Sequence, residues 1–198
     1  MATLLYIKSS IFGDGGQSSQ LAETFIEKWK AKNHQSEVVV RDLIVEDFPH
    51  MDSTVVTALR GDPSEHDEEQ RAILLRSDEL VAELDAADEL VITVPYYNFN
   101  IPSQMKAYFD LLARAGVTFS YTENGPVGLI KDKPVSLITT RGGMYRDSGM
   151  DFQIPFVKQF LGFIGLKNIE VIYAEGLAMG DVAEKSLADA NAQIAAIH

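Results

Sequence analysis

The sequence predicts an α/β fold in which a doubly wound, five-stranded parallel sheet carries helices on both faces. Two observations indicate it: short runs rich in apolar and β-branched residues occur five times, and segments with apolar residues at helical spacing separate them. The 198 residues contain no internal repeat, low-complexity segment or linker, so a single domain, 1–198, is expected. The expected strand order is 2-1-3-4-5, with a switch point between the first and third strands.

Each element follows from its local pattern. The strands are expected at 3–8, 37–41, 90–94, 134–139 and 168–173. The helices are expected near 21–29 and 55–59, over 67–86, from 103 to a glycine stop at 116, over 153–165 and from 181 to the C-terminus. Residues 117–122 alternate in polarity, and Asn124 with Gly125 predicts a hairpin turn after them.

Composition excludes several classes of function. A net charge of −12, from 17 basic and 29 acidic residues, argues against nucleic acid as a partner. The absence of cysteine excludes disulfides, thiol nucleophiles and cysteine-ligated metals. The four histidines, at 34, 50, 66 and 198, show no metal-ligand spacing and are interpreted as surface residues, so no metal site is expected. No apolar run is long enough for a membrane span and no signal peptide is visible, so we expect a cytoplasmic protein.

A glycine- and serine-rich loop joins the first strand to the first helix. Residues 9–20 bring backbone N–H groups and the hydroxyls of Ser10 and Ser18 to a helix N-terminus, a typical setting for an anion. The Walker, dinucleotide GxGxxG and hydrolase GxSxG motifs all fail in this loop. Two interpretations remain: a monophosphate loop without a positive side chain, or a plain helix cap by Ser18 or Ser19.

Aromatic and amide side chains, from Tyr96 to Asn100, follow the third strand after a proline that stops it. Aromatic rings can stack on a flat heterocycle, and asparagine offers the polar rim of such a ring both a donor and an acceptor. Ligands of doubly wound sheets bind at this carboxyl edge. The alternative is a packed loop whose rings cap the core.

The fourth strand ends in Thr140, Arg141, Gly142 and Gly143, and two adjacent glycines allow a ligand to approach the backbone closely. A simple turn is the alternative. Because this is the third such loop on one edge of the sheet, the coincidence favours a common ligand site. Two further features concern substrate and partner: the long excursion over 42–66 has the length of a lid, and the notably apolar helix at 153–165 indicates a partner surface.

Four sequence runs, in order and with matching spacing, resemble the FMN-dependent NADH azoreductases, flavodoxin-like proteins related to quinone reductases. The runs are PYYNFNI at 95–101, ARAGVTFSYTENGP at 113–126, RGG at 141–143 and FLGFIG at 160–165. The resemblance implies a flavodoxin-like homodimer with one FMN per subunit near the interface. It also implies ping-pong, two-electron reduction of quinones by NADH and reductive cleavage of aromatic azo compounds.

The resemblance also assigns site residues. It implies that the FMN phosphate is bound by Ser10, Gly16, Gln17 and Ser18. The isoalloxazine ring is expected to contact Tyr96, Tyr97, Asn98 and Phe99. The opposite, polar edge of that ring is expected to contact Thr140, Arg141, Gly142 and Gly143. A substrate pocket is also expected at Arg60, Tyr121 and Phe163, although a solvated surface residue is the favoured interpretation of Arg60. No side chain is expected as a catalytic acid, because the flavin carries the hydride and solvent supplies protons.

The sequence departs from the family pattern at three site positions. Gly16 and Thr140 stand where serine is common, and Tyr96 stands where methionine is common. Two rival functions remain open: a flavodoxin-like electron carrier without NADH turnover, which the acidic composition suits, and a hydrolase, which the failed motifs disfavour. The physiological acceptor and the choice between NADH and NADPH do not follow from the sequence.

Overall fold

A computed structural model describes residues 1–197 and contains five parallel strands in one sheet. Their order is β2-β1-β3-β6-β7, which is the predicted order 2-1-3-4-5 of the main strands, so the doubly wound prediction is confirmed. The strands are Ala2–Lys8 (β1), Ser36–Asp42 (β2), Glu89–Thr93 (β3), Val135–Thr140 (β6) and Ile169–Ala174 (β7).

Six helices and one hairpin complete the described chain. The helices are Gln17–Lys32 (α1), Ser53–Arg60 (α2), Glu68–Ala86 (α3), Ser103–Leu112 (α4), Gln153–Ile164 (α5) and Asp181–Ile197 (α6). The predicted hairpin pairs Phe119–Thr122 (β4) antiparallel with Gly125–Gly128 (β5), outside the main sheet.

The sheet separates two apolar cores, because successive residues of a strand face opposite sides. In β1, Leu5 and Ile7 belong to the core that α3, α4 and α5 cover, whereas Leu4 and Tyr6 belong to the core beneath α1 and α6. Both faces of the central strands are therefore covered by helices. The carboxyl ends of the strands remain as the edge where polar loops can meet.

Helix α4 ends earlier than the glycine stop at 116 predicts. Its last residue is Leu112, and the carbonyls of Leu112 and Arg114 accept hydrogen bonds from the turn that follows. The hydroxyl of Thr118 donates to the Leu112 oxygen at 2.6 Å and so terminates the helix from outside. Gly116, with φ +80°, belongs to that turn. The glycine therefore marks the end of the helix as predicted, but the helix ends three residues earlier.

The interpretation of every histidine as a surface residue is wrong for His66. His34 and His50 are exposed, but the ring of His66 is only 4% exposed, and His198 lies outside the described residues. The ring packs against Gly61: a Cβ built on that glycine would lie 3.2 Å from its Nε2 atom. Within residues 1–197, no group of three histidine, aspartate or glutamate side chains is placed to hold a metal ion. No helix over the same residues is long and apolar enough to cross a bilayer.

The carboxylate of Glu89, at the start of β3, accepts a hydrogen bond from the indole N–H of Trp29 at 2.8 Å. Burial raises the pKa of Glu89 above its ordinary value, and the Trp29 hydrogen bond opposes the shift without cancelling it. The folded state therefore binds this proton more tightly than the unfolded state does. The contribution of Glu89 to stability is present at low pH and is lost as the pH rises from the unfolded pKa through the folded one.

We therefore expect the Glu89→Gln variant to gain stability relative to the parent protein between about pH 4 and about pH 7. Glutamine preserves an acceptor for Trp29 but carries no charge to desolvate. Urea unfolding at both pH values measures the difference, and Glu37→Gln, an exposed strand position, controls for the loss of one negative charge. An unchanged difference between Glu89→Gln and the parent at the two pH values would contradict the assignment.

Candidate functional site

The loops that follow β1, β3, β6 and β7 meet at one edge of the sheet and enclose a cleft. The cleft lies at the switch point, where the chain leaves β1 and β3 toward opposite sides of the sheet. Its walls comprise Ser10, Phe12, Gly16, Gln17, Ser18, Tyr96, Tyr97, Thr140, Arg141, Gly142 and Leu177. The three loops singled out from the sequence therefore surround one space.

The first loop presents unpartnered hydrogen-bond donors at the start of α1. The first three helical N–H groups, from Gln17 to Ser19, have no carbonyl one turn before them in the helix, and no side chain caps them. Gly16 occupies the cap position, so the alternative of a cap by Ser18 or Ser19 is wrong. The Ser18 hydroxyl is buried and has no hydrogen-bond partner among the described residues. Together with the helix dipole, these donors form a site for an anion.

Gly16 matters through the side chain that it lacks. A Cβ at this position would lie 2.0 Å from the Oγ atom of Ser10 and 2.9 Å from its Cβ atom. The N–H group of Gly16 already donates to the Gly13 oxygen at 3.3 Å, while Ser10 Oγ accepts from the Phe12 N–H at 3.3 Å. The Ser10 hydroxyl thus occupies the space that a serine at position 16 would take, and the loop closes tightly around it.

Lys8 fastens this loop to the sheet, a role that sequence reasoning missed. Its ammonium group lies 2.7 Å from the carboxylate of Asp14 in the loop and 3.0 Å from that of Asp42 at the end of β2. Burial alone would lower the pKa of Lys8, but its hydrogen bonds to Asp14 and Asp42 raise it above the ordinary value. The sequence offered one signal for this role: Lys8 ends the first predicted strand, and Asp42 directly follows the second. In a parallel pair of neighbouring strands, these two ends lie side by side.

The second loop places two non-glycine residues in the left-handed region. Asn98 has φ 47° and Phe99 has φ 68°. Tyr97 and Asn100 exchange hydrogen bonds of 3.0 Å across them, which closes a tight turn of type I′. The buried amide of Gln153 donates to the oxygens of Pro95 (2.7 Å) and Asn100 (3.2 Å) and holds the turn in place. Such strain persists only when the surroundings enforce it, and it is common at ligand sites.

The third loop contributes Arg141 to the cleft wall and commits its side chain to buried partners. The guanidinium of Arg141 is fully buried and pairs with Asp151 at 2.8 Å and Glu175 at 3.4 Å. Its backbone N–H is also occupied, since it donates to the Ala174 oxygen. The next two N–H groups, of Gly142 and Gly143, meet no acceptor among residues 1–197. Those amides are the donors that this loop offers a ligand.

Tyr96 connects the second and third loops. Burial raises the pKa of Tyr96, and its hydroxyl donates to the Met150 oxygen at 2.7 Å. Its ring lies over the guanidinium of Arg141, with 4.9 Å between the ring centroid and Cζ. Tyrosine at this position therefore ties the loop after β3 to the segment after β6.

Some assigned residues lie elsewhere, and some cleft residues were not assigned. Arg60 is exposed at the end of α2, Tyr121 is exposed on the hairpin, and neither they nor Phe163 line the cleft of this chain. Phe12 and Leu177 line it without having been assigned. Leu177 follows β7 at the same carboxyl edge, so the edge rule used for the other strands would have found it.

A larger cleft of about 370 Å³ lies between the loop after β2 and the start of α4. Its polar lining includes the carboxylates of Glu46 and Asp47. The Glu46 carboxylate is already paired with Arg41 and Arg76, and the unpartnered amides of α1 are absent from the walls of this cleft. The smaller cleft at the switch point is therefore the candidate site.

Comparison with known proteins shows the family to which the chain belongs. A family model described as having a flavodoxin-like fold matches residues 2–197. The FMN-dependent NADH:quinone oxidoreductase of Cellvibrio japonicus is 56% identical over 180 residues, which cover 91% of this chain and 90% of that protein. The protein of the same name from Yersinia pestis strain Pestoides F is 46% identical over 198 residues, 100% of this chain and 98% of the relative.

Solved structures give the same result. The azoreductase of Bacillus anthracis strain Sterne matches with a TM-score of 0.90 at 29% identity and covers 100% of this chain and 98% of its own. An FMN-dependent NADH-azoreductase from the Ames Ancestor strain, solved in complex with FMN, matches with a TM-score of 0.88 at 27% identity, covering 100% and 99%. Because these matches span almost every residue, the chain belongs to the family of FMN-dependent NADH:quinone oxidoreductases with the flavodoxin-like fold.

Proposed function

We propose that this protein is an FMN-dependent NADH:quinone oxidoreductase that also cleaves aromatic azo compounds. The observation that carries the proposal is the group of unpartnered donors at the N-terminus of α1, with the buried Ser18 hydroxyl among them. They suit one phosphate monoester, and they lie in the cleft that the aromatic loop also enters. The names of the curated relatives support the same cofactor and donor.

Each loop has a distinct task in this proposal. The first loop holds the FMN phosphate through the amides that open α1 and through the Ser10 and Ser18 hydroxyls. Tyr96, Tyr97 and the turn at Asn98 and Phe99 border the isoalloxazine ring. Thr140 and the free amides of Gly142 and Gly143 serve its polar edge. Arg141 forms part of the wall, and its side chain is held there by Asp151 and Glu175.

When bound, FMN supplies the chemistry, in which NADH and H⁺ reduce a quinone to its hydroquinone by two electrons; two such cycles convert an azo bond into two amines. The chain's own contribution is binding and electrostatics. Amide donors directed at the ring stabilise negative charge that develops on it. NADH and the acceptor occupy the same cleft in turn, which gives ping-pong kinetics, and solvent supplies the protons.

We take NADH as the donor, because it is the donor in the names of both curated relatives.

The proposal predicts two separable half-reactions. Protein incubated with FMN and desalted should keep the visible flavin bands, lose them when NADH is added under argon, and recover them when a quinone follows. Absorption spectra recorded after each addition measure all three steps.

Other outcomes of those spectra point to different functions. Failure to retain FMN would contradict the proposal outright. Retained flavin that NADH does not bleach, although dithionite does, would identify an electron carrier without NADH turnover.

We also propose that the protein forms a homodimer through the hairpin and the exposed side of α5. On the hairpin, Tyr121 is 75% exposed and Val127 is 48% exposed. Phe119 links them to the helix: its ring centroid lies 5.5 Å from that of Tyr121 and 4.3 Å from that of Phe163 on α5. A contiguous apolar surface of this kind is typical of an interface.

Light scattering during size-exclusion chromatography tests the dimer. We expect the parent protein to elute with twice the chain mass of 21.9 kDa and Val127→Lys to shift toward one chain mass, because a buried lysine desolvates a charge. Leu75→Lys, at an exposed apolar position of α3, is the matched control and should remain dimeric. A monomeric parent protein, or a Val127→Lys variant that stays dimeric, would refute this interface.

A further inference from the structure

Three aromatic rings from two loops form a cluster at the mouth of the cleft. The centroids of Tyr96 and Tyr145 are 4.9 Å apart with an interplanar angle of 38°. Phe99 meets both rings edge-on, at 6.2 Å from Tyr96 and 6.3 Å from Tyr145. Tyr96 lines the cleft itself, Phe99 stands at the tip of the turn after β3, and Tyr145 belongs to the segment after β6.

Tyr145 is fixed over the glycines of the third loop. The backbone N–H groups of Tyr145 and Arg146 both donate to one oxygen of the buried Glu175 at 2.8 Å. The ring then folds back on Gly143, where an added Cβ would lie 2.9 Å from the ring atom Cζ. The position of the ring is therefore determined by buried contacts on one side and by the lack of a side chain on the other.

Phe99 is placed at the same mouth at an energetic cost. It is 53% exposed and holds φ at 68°, a conformation that side-chain-bearing residues rarely adopt. Neither exposure nor strain benefits folding, so both are explained more simply by contact with a ligand. Tyr145 is half-buried and Phe99 is exposed, so both leave ring surface uncovered beside Tyr96, and all three members of the cluster are uncharged.

Building on the function proposed above, we propose that the cluster of Tyr96, Phe99 and Tyr145 selects acceptors with fused aromatic rings over acceptors with one ring. The second ring of a two-ring quinone can make stacked or edge-to-face contacts with these side chains. A benzoquinone has no second ring and cannot make these contacts. Tyr145 is the specificity-determining member, because it is not among the residues that line the cofactor cleft, yet its ring lies 4.9 Å from that of Tyr96, which is, and its backbone is fixed by Glu175.

The test compares kcat/KM for menadione, a two-ring quinone, with kcat/KM for 1,4-benzoquinone, using NADH as donor. In ping-pong kinetics this constant reports only the step with the acceptor, so effects on the NADH step cancel. We expect Tyr145→Leu to lower the menadione-to-benzoquinone ratio about 3- to 10-fold, and Tyr145→Phe, which keeps the ring, to leave it within about 2-fold of the parent. Phe99→Leu, which removes a more exposed ring of the same cluster, should lower the ratio in the same direction.

A binding measurement on the FMN-loaded protein tests the ring preference of the cluster without depending on the proposed reaction. NMR titration with 2-naphthol and with phenol gives the preference for two rings without turnover, and Tyr145→Leu should reduce that preference by a similar factor. If the parent protein reduces neither quinone but prefers 2-naphthol through Tyr145, the reaction is wrong and the cluster's role stands. Unchanged ratios in both Tyr145→Leu and Phe99→Leu would overturn the inference.

Discussion

The candidate site depends on one buried cation. The guanidinium of Arg141 has no exposed surface, yet it carries a full charge, so it must be paired where it lies. Asp151 and Glu175 provide that pairing, and Thr139 accepts a further hydrogen bond from Nε at 3.3 Å. Removing one partner of a buried ion pair typically costs about 3–5 kcal/mol. The segments after β6 and β7 are therefore held together by this buried ion pair, because an unpaired guanidinium would be costly here.

This pairing determines which groups remain free for a ligand. Because Arg141 pairs with buried carboxylates and its N–H group donates to the Ala174 oxygen, the unpartnered donors of this loop are the N–H groups of Gly142, which lines the cleft, and of Gly143 beside it. Glu175 serves twice, since the oxygen that meets Arg141 also accepts from the backbone of Tyr145. The unpartnered Ser18 hydroxyl, the unpartnered amides of the first and third loops and the positive φ angles of Asn98 and Phe99 thus lie at one edge of the sheet. Such an edge gains stability when a ligand of matching chemistry fills it.

Much of this arrangement was predictable because it depends on local pattern. The five strands follow from apolar runs, and the rule that ligands bind at carboxyl edges of doubly wound sheets located the three loops. The details that sequence reasoning did not foresee depend on partners distant in sequence. Arg141 turns inward because of Glu175, 34 residues away, and Lys8 pairs with Asp42 because β1 and β2 are neighbours. His66 is buried because Gly61 leaves room for its ring, and hydrophobic periodicity carries no information on that contact.

The central claim is that the donors at the start of α1 bind the phosphate of FMN. Calorimetric titration of the flavin-free protein with FMN and with riboflavin, which lacks the phosphate, tests it most directly. The account predicts that riboflavin binds at least about 100-fold more weakly, since charged hydrogen bonds contribute about 1.5–3 kcal/mol each. It also predicts that Ser18→Ala weakens FMN binding by about 10-fold and leaves riboflavin binding unchanged. Equal affinities for FMN and riboflavin would contradict the account.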